Sequence, residues 1–334
     1  MELVKNISII FMSIFFESMP FLLLGALISS IIETYISDET MAKLIPKNKV
    51  LGCLVGVFLG FFLPACDCAV IPVSKRLIKK KVPINVAISF MLASPIINPV
   101  VLLSTYQAFY RNNPEIFWYR FGLGIVIALV IGIIMGIIFG DKKVITNSSD
   151  EHECCCHKHD EVEVEEGFED LLDHKAKHKH EHEHEHEHEC HCHHHEKHTI
   201  KNDFLSIVKH TALDFYDVVK YLMLGALIAS CVQVLLPRNI LVIFNNNHML
   251  SILVLMLFAY LISLCSTSDS FVGKSLMSTF SKSSIMAYLL LGPMIDIKNT
   301  VVLFGNYKKS FVVTLITLIF VVIFICSVLV VRFI

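Results

Sequence analysis

Charge is scarce in this sequence. Only 17% of its 334 residues are Asp, Glu, Lys or Arg, whereas 54% are hydrophobic and the mean hydropathy is +0.64. Such a balance excludes an ordinary soluble globular domain, in which about a quarter of the residues are charged. The near-neutral formal charge of −2 and the scattered basic residues also exclude a nucleic-acid-binding protein.

Several chemical signatures are missing as well. The 11 cysteines are divided between apolar stretches and one polar segment, which does not resemble the disulfide framework of a small secreted domain. The sequence contains no P-loop, so we expect a gradient rather than ATP to supply any transport energy. No cofactor motif accompanies the cysteines. We therefore predict that the protein is not an enzyme and requires no cofactor.

Long apolar stretches dominate what is present. About eight of them are long enough to cross a hydrocarbon core, which takes roughly 20 helical residues. They cover residues 7–32, 50–73, 84–109, 117–139, 205–236, 249–270, 284–304 and 311–331. The sequence therefore predicts an all-α polytopic protein of the cell membrane, with the lipid bilayer as a partner, and it leaves homo-oligomerisation open.

An internal repeat organises these stretches. Residues 21–30, FLLLGALISS, match residues 221–230, YLMLGALIAS, at seven of ten positions, and Glu17 corresponds to Asp217 at the same offset. Further matches follow in the same order, CDCAVIPVSKRL with CSTSDSFVGKSL and SPIINPVVLL with GPMIDIKNTVVLF. We therefore predict two homologous halves of about four transmembrane helices each. The halves are residues 1–140 and 204–334, and a polar insert, residues 141–203, joins them.

The basic residues predict an orientation. Residues 75–81, KRLIKKK, belong in the cytoplasm by the positive-inside rule. Counting eight full spans from them places both termini and the insert on the cytoplasmic side. A re-entrant segment in either half would make the span count per half odd. The repeats would then be inverted, and the insert could change sides.

A C-D-C element, Cys66–Asp67–Cys68, interrupts the second stretch between Pro64 and Pro72. Residues i and i+2 of a helix lie about 200° apart, so both thiols can face one ligand only from extended backbone. Proline favours such an interruption, and unwound backbone at membrane depth requires a polar cavity. The element therefore predicts the wall of a cavity. The alternative is that both cysteines are small buried core residues.

Ionisable residues within or beside the apolar stretches indicate a solute pathway, because each costs on the order of 3 kcal/mol at mid-membrane. Residues 95–99 and 293–299 predict a second broken helix in each half, with a plain kink as the alternative. The predicted substrate-binding or translocation residues are Cys66, Asp67, Cys68, Pro95, Asn98, Pro99, Cys265, Ser266, Asp269, Pro293, Asp296, Lys298 and Asn299. The predicted proton-coupling residues are Glu17 and Asp217, with Asp269 and Asp296 as further carriers; capping or salt bridging is the alternative for the first two.

Four segments resemble the ArsP/YraQ-type predicted permeases: FFESMPFLLLGALISS, PACDCAVIPVSKRLIKKKVP, SPIINPVVLLSTYQAF and GPMIDIKNTVVLF. The resemblance covers both membrane halves. It implies export of trivalent organoarsenicals or, as in a branch with His-rich loops, efflux of copper and zinc. It also implies that Cys66 and Cys68 form the thiophilic site, with Asn98 and Pro99 beside them. The second half departs from the C-D-C pattern, since it has the single cysteine Cys265.

The insert has an unusual composition. It holds 15 of the 17 histidines, and its 19 Asp or Glu exceed its 8 Lys or Arg. Such a segment cannot form a packed core, so we expect a disordered loop on the cytoplasmic side. Imidazole and thiolate suit Zn, Cu, Ni or Co. The predicted metal ligands are Cys154, Cys155, Cys156, His157, His159, His180, His182, His184, His186, His188, Cys190, His191, Cys192, His193, His194 and His195.

Together these patterns predict a gradient-driven permease that exports a thiophilic metal or metalloid species. The substrate is either a trivalent organoarsenical or a soft or borderline metal ion, and the C-D-C element and its counterpart in the second half line the route. A metal-gated channel or sensor is an alternative. A membrane thiol redox enzyme is another, although C-x-C matches the usual C-x-x-C redox pair poorly.

Overall fold

The structure is a computed structural model that describes most of the chain outside the insert. The described residues are 2–35, 46, 48–63, 67–111, 113–140, 142, 144–145, 200–235 and 247–330. Within them the backbone is helical apart from turns, short connections and one isolated bridge between Ile145 and Tyr307. The described part of the chain is therefore all-α, as predicted.

Twelve helices occur in these described residues, six on each side of the insert. The first six are α1 (Glu2–Tyr35), α2 (Lys49–Phe62), α3 (Val70–Lys79), α4 (Ile84–Ile97), α5 (Pro99–Phe109) and α6 (Glu115–Phe139). The last six are α7 (Ile200–Leu235), α8 (His248–Ile262), α9 (Ser266–Leu276), α10 (Lys282–Met294), α11 (Ile297–Asn306) and α12 (Lys309–Val330).

Six helical stretches of the described chain are long and apolar enough to cross a membrane. Four are the single helices α1, α6, α7 and α12, and two are the end-to-end pairs α4–α5 and α10–α11. The shortest has 21 residues, which at 1.5 Å per residue span about 32 Å. The protein is thus a multi-pass membrane protein. By contrast, α2 and α8 are apolar but have only 14 and 15 residues.

Residues 50–73 do not form the single span that the sequence predicts. In their place α2 runs parallel to α4, because Gly52 lies against Val86 and Gly60 lies against Ser94. The chain then turns back. α3 runs in the opposite direction to α4, to which it is joined by four residues. α2 and α3 therefore form a hairpin that enters and leaves at one face.

Proline chemistry explains why the chain turns there. Leu63 leaves the helix with a ψ of 110°, the extended conformation that a residue before proline adopts. Asp67, Cys68 and Ala69 form a turn, and Ala69 is already helical with φ −78° and ψ −26°. The described part of the C-D-C element is thus a turn rather than the extended segment that the sequence predicts. Cys66 lies outside the described residues.

Residues 249–270 are divided in the same way, contrary to the predicted span. α8 and α10 start side by side, since the hydroxyls of Ser251 and Ser284 lie 3.0 Å apart. α9 runs antiparallel to α10, because Asp269 in its first turn lies against Gly292 near the end of α10. α8 and α9 therefore form a second re-entrant hairpin.

The long helices α1 and α7 are antiparallel. Ser29 near the end of α1 donates to Asp214 near the start of α7 (2.9 Å), and Ile14 packs with Ala226 and Ala229. The face at which α1 ends and α7 begins is here called the insert face. The opposite face, at which α1 begins, is called the terminal face.

Contacts at the two faces orient the other helices. α4 begins at the insert face, because Arg76 near the end of α3 pairs with Glu33 near the end of α1. α6 ends at the same face, since its Gly136 lies against Asn85 in the first turn of α4. α12 begins at the insert face, where the Lys308 N–H donates to the Val144 carbonyl (2.8 Å). It therefore ends at the terminal face.

At the terminal face, the starts of α6 and α10 meet through Glu115 and Lys282, whose Oε1 and Nζ atoms lie 2.7 Å apart. The described chain thus begins and ends at the terminal face, whereas the insert is connected to the insert face. This corrects the count of eight full spans, which placed the termini and the insert on one side. The reason is that each hairpin returns to the face at which it starts.

The interrupted spans α4–α5 and α10–α11 form the centre of the bundle. All 14 residues of α4 are buried. None of them is charged, and only three are Ser or Asn. Glycines at every fourth position allow α2 and α6 to pack closely on α4: Gly52, Gly56, Gly60, Gly132 and Gly136. Gly140 continues the spacing but faces only the backbone of Gly136.

Candidate functional site

Two polar residues restart the interrupted spans at mid-membrane. Asn98 separates α4 from α5, with a ψ of 133°, and its side chain accepts a hydrogen bond from the Val100 N–H. Asp296 separates α10 from α11, and its Oδ1 accepts from the Asn299 N–H at 2.7 Å. Side-chain capping of this kind satisfies a helix N-terminus that has no water to bind. Each break therefore brings a polar side chain into the bundle centre.

A buried ion cluster lies where the second break meets the first hairpin. The ammonium of Lys298 is 2.6 Å from Asp296 Oδ2 and 3.1 Å from Asp67 Oδ2. It also donates to the carbonyl of Ser263, which ends α8 with a left-handed φ of 55°. The cluster thus joins the turns of both hairpins to the α10–α11 break.

The charges of this cluster do not cancel. Two carboxylates face one ammonium, so the cluster carries a negative charge when both are ionised. Asn299 donates its amide to Asp67 (3.3 Å), but its own Oδ1 is buried without a hydrogen-bond partner. A buried acceptor of this kind requires a donor, and a water or a polar cargo can supply one.

Small residues of the repeated motif hold α1 and α7 against this site. A Cβ on Gly25 would lie 2.7 Å from the Cβ of Ala69, next to the C-D-C element. A Cβ on Gly225 would lie 2.8 Å from the Cα of Lys298. Only glycine fits at either position, so both long helices contact the site backbone directly.

A narrow recess with a cavity volume of about 10 Å³, room for roughly one water molecule, lies between the surface of α1 and the ion cluster. Residues of α1, both hairpin turns and α11 line it: Ile14, Glu17, Ser18, Phe21, Asp67, Cys68, Ser263, Cys265 and Lys298. Five of these are among the residues predicted from the sequence for transport or proton coupling. Of these five, Glu17 and Lys298 are 281 positions apart in the sequence, so the recess brings together distant parts of the chain.

The recess contains thiols from both hairpins. Cys68 is buried and donates to the hydroxyl of Ser18 (3.8 Å), whereas Cys265 is half-buried and accepts from Thr267 (3.5 Å). Among the described residues no group of three or more His, Cys, Asp or Glu side chains is placed to hold a metal ion.

Other predicted residues lie away from the recess. Asp217 forms a partly exposed ion pair with Lys220 (2.9 Å), and Pro99 is exposed at the start of α5. Pro95 and Pro293 are buried inside α4 and α10, one turn or less before the breaks. The predicted metal ligands of the insert all lie outside the described residues.

Ser266 and Asp269 belong to a second buried polar group, here called the arginine cluster. Its members are Thr105 on α5, Arg120 on α6, Ser266, Asp269 and Ser270 on α9, and Tyr288 on α10. Arg120 Nη1 donates to Thr105 Oγ1 and Ser270 Oγ, both at 2.7 Å, and Tyr288 donates to Asp269 Oδ1 at 2.9 Å. All six side chains are buried, so this is a polar layer inside the bundle.

The sequence reasoning missed Arg120 and Tyr288. Arg120 is the fourth residue of the predicted 117–139 stretch. At that position it resembled the basic residues at span ends that determine the orientation in the membrane. Its presence within an apolar stretch was the available signal, because a fully buried arginine in a membrane span marks a functional position.

Comparison with known proteins places the chain in a family. Residues 3–332 match the ArsP family model, described as predicted permease. The chain is 35% identical to the UPF0718 protein YcgR of Bacillus subtilis over 96% of this chain and 95% of that protein. It is 34% identical to a putative two-component membrane permease complex subunit of Streptococcus mutans, over 91% and 87% of the two chains. No solved structure matches.

Proposed function

Because the chain belongs to the ArsP family of predicted permeases, we propose that it is a secondary permease that exports a thiophilic metal or metalloid species through the central recess. The observation that carries this proposal is the convergence of Cys68, Cys265, Asp67 and Lys298 in one recess at mid-membrane. Thiols and ionisable groups are costly there, and a solute route gives them a common reason.

The proposal includes two related halves in inverted orientation. Six helices before the insert correspond in order to six after it, with 34, 14, 10, 14, 11 and 25 residues against 36, 15, 11, 13, 10 and 22. The matching helices α1 and α7 are antiparallel. Inverted repeats with a midplane site at interrupted helices are a common transporter plan, in which the halves rock about the site.

Orientation follows from the basic residues. The KRLIKKK segment, residues 75–81, covers the second half of α3 and the two residues after it. It lies at the insert face, where Arg76 pairs with Glu33 and Asp214, so the positive-inside rule assigns that face to the cytoplasm. The insert is then cytoplasmic, and the terminal face is external. Export runs from the insert face to the terminal face.

The ligands on offer favour an uncharged trivalent organoarsenical over a bare metal ion as the cargo. The described residues offer no group of three metal ligands. A trivalent arsenic centre with one organic substituent leaves two positions for thiolates, and the C-D-C element offers Cys66 and Cys68.

The His/Cys-rich insert is the proposed binding element for Zn, Cu, Ni or Co. In the permease it serves as a cytoplasmic metal buffer beside the route. Deleting residues 150–200 separates this role from a metal-gated channel or sensor. A permease keeps its basal flux without the insert, whereas a gated channel loses its response to metal.

Flux through reconstituted vesicles tests the proposal. Purified protein in liposomes should move a trivalent phenylarsenical, and a proton gradient should drive its accumulation. Cys66→Ser combined with Cys68→Ser should lower the flux at least about tenfold. The loss of one ligand interaction worth about 1.4 kcal/mol already weakens binding of the arsenical tenfold.

Cys326→Ser is the matched control, since Cys326 is a half-buried thiol on α12 that does not line the recess. Its flux should equal that of the unmodified protein. Equal flux in the C66S/C68S variant and this control would remove the thiols from the mechanism. Flux of Zn or Cu but not of the arsenical would contradict the proposed cargo.

A further inference from the structure

The arginine cluster holds a buried cation that no anion contacts directly. Arg120 is 0% exposed, and its guanidinium donates to neutral acceptors, the hydroxyls of Thr105 and Ser270 and the carbonyl of Ser266. Its Nε has no hydrogen-bond partner. Within the described chain Arg120 makes no ion pair, yet a buried charge needs a compensating charge nearby.

Asp269 supplies that charge. It is the carboxylate whose field acts on Arg120, and it is only 2% exposed. One of its oxygens accepts from Tyr288, while Oδ2 is buried with no partner. Oδ2 faces Gly292, where a Cβ would lie 2.6 Å away. Glycine thus leaves room at the unpartnered oxygen, which is the atom that a proton can occupy.

The hydrogen bonds of Arg120 tie one arm of the second hairpin to the bundle. Arg120 belongs to α6, Thr105 to α5, and Ser266 and Ser270 to α9. α9 runs from the central site to the terminal face, so the arm held by Arg120 lies on the terminal-face side of the recess. Releasing it would change access from that face.

Asp269 is also linked to the ion cluster. From the elements packed around it, Asp269 interacts electrostatically with Arg120 of α6, Tyr288 of α10, Asp67 of the α2–α3 turn and Lys298 of α11. α5 contributes hydroxyls to the cluster but no charge. The protonation of Asp269 and the charge of the recess therefore influence each other.

We propose, resting on the permease function above, that Asp269 carries the coupling proton and that Arg120 is the positioning residue that holds α9 while Asp269 is ionised. When a proton from the terminal face binds Oδ2, Arg120 loses its counter-charge. The unpaired guanidinium then gains by contact with water, and α9 separates from α5 and α6. Release of the proton restores the charge balance and closes the arm.

Hydrogen exchange tests the switch without any cargo. In the purified full chain, exchange of the α9 amides, corrected for its intrinsic pH dependence, should rise at least about fivefold as pH falls and Asp269 takes up its proton. Asp269→Asn should show the fast exchange at every pH. Glu115→Gln is the control, because it removes a carboxylate at the terminal face outside the cluster, and it should behave as the unmodified protein.

Arg120 variants separate positioning from simple packing. Arg120→Gln should abolish the pH response of α9 although Asp269 is present, and Arg120→Lys should retain it. A loss of stability without a change in the pH response would show a structural role only and would overturn the assignment. The same holds if Asp269→Asn keeps the pH response of the unmodified protein.

Vesicle flux of the phenylarsenical completes the test. Glu115→Gln should accumulate the arsenical in response to a proton gradient as the unmodified protein does, whereas Asp269→Asn should lose this accumulation. Accumulation by this variant would overturn the coupling role and leave the permease function intact. If the unmodified protein moves no arsenical, the proposed function fails, and the exchange data alone decide the switch.

Discussion

Lys298 is the residue on which the central site depends. Its side chain is 4% exposed and forms ion pairs with carboxylates from both sides of the insert, Asp67 and Asp296. Removing one partner of a buried ion pair costs about 3–5 kcal/mol, because the other charge is left unpaired. Lys298 therefore fixes the turn of the first hairpin against the second break.

Replacing this lysine should destabilise the protein strongly. Lys298→Met should lower the free energy of unfolding by about 3–5 kcal/mol, and adding Asp67→Asn should restore part of the loss. Thermal unfolding in detergent measures both. Lys220→Met is the matched control, since Lys220 also pairs with an aspartate but is 44% exposed, and it should cost less than about 1 kcal/mol. Equal losses at the two lysines would contradict the role of the ion cluster.

The identity of most site residues could be predicted from the sequence, but their pairing could not. Asp67, Lys298 and Asp296 each stood out as charges in apolar surroundings. Their contact depends on how two distant hairpins pack, and hydropathy contains no information about that. The polar partners of Arg120 were missed for the same reason, because Thr105 and Ser270 are unremarkable in sequence and acquire their role only through packing.

The two hairpins are the elements that distinguish this fold from a simple helical bundle. Each consists of an apolar helix of 14 or 15 residues and a shorter, more polar arm that returns to the same face. Their turns place unwound backbone at mid-membrane, where protein atoms rather than lipid surround it. Both arms therefore begin in the site, and both end near water.

Close contact between the long helices and these elements rests on single glycines. Gly25→Ala and Gly225→Ala should each lower stability by about 1–3 kcal/mol, because the new methyl group meets backbone or Cβ atoms of the site. Gly122→Ala is the matched control on α6, where nothing lies within 4 Å of a new Cβ. It should raise stability slightly, since alanine favours helix. Midpoints of thermal unfolding compare the three variants, and a neutral effect at Gly25 would contradict the close contact.

Hydropathy predicted the apolar elements well but could not separate a hairpin from a span. Residues 50–73 form an apolar stretch of span length, and the turn inside it is a local event of a few residues. The prolines indicated an interruption, and the C-D-C element indicated a cavity wall. Neither showed that the chain reverses, because reversal is decided by packing of α2 on α4 and of α3 on α1.

For the molecule as a whole, the reversal decides where the termini lie. Three crossings and one hairpin precede the insert, so the start of α1 and the end of α6 are on opposite faces. The same count applies to the helices after the insert, and the end of the chain returns to the terminal face. The sequence allowed this outcome as the consequence of a re-entrant segment but did not select it.

Reporter fusions test this topology. Alkaline phosphatase, which is active only outside the cytoplasm, should be active when joined to the C-terminus and inactive when placed in the insert. A fluorescent protein that folds only in the cytoplasm should give the reverse pattern. The same reporter behaviour at both positions would contradict two re-entrant hairpins and would support eight full crossings.

The antiparallel course of α1 and α7 has a consequence for the history of the gene. If one ancestral unit gave rise to both halves, that unit had to insert into the bilayer in two opposite directions and pair with itself. Positions 75–81 hold five positive residues, whereas the segment that corresponds to them in the predicted repeat, 274–280, holds only Lys274. If basic residues were lost from one copy and retained in the other, each copy would insert in a single direction. One polypeptide would then replace a pair of identical units that inserted in opposite directions.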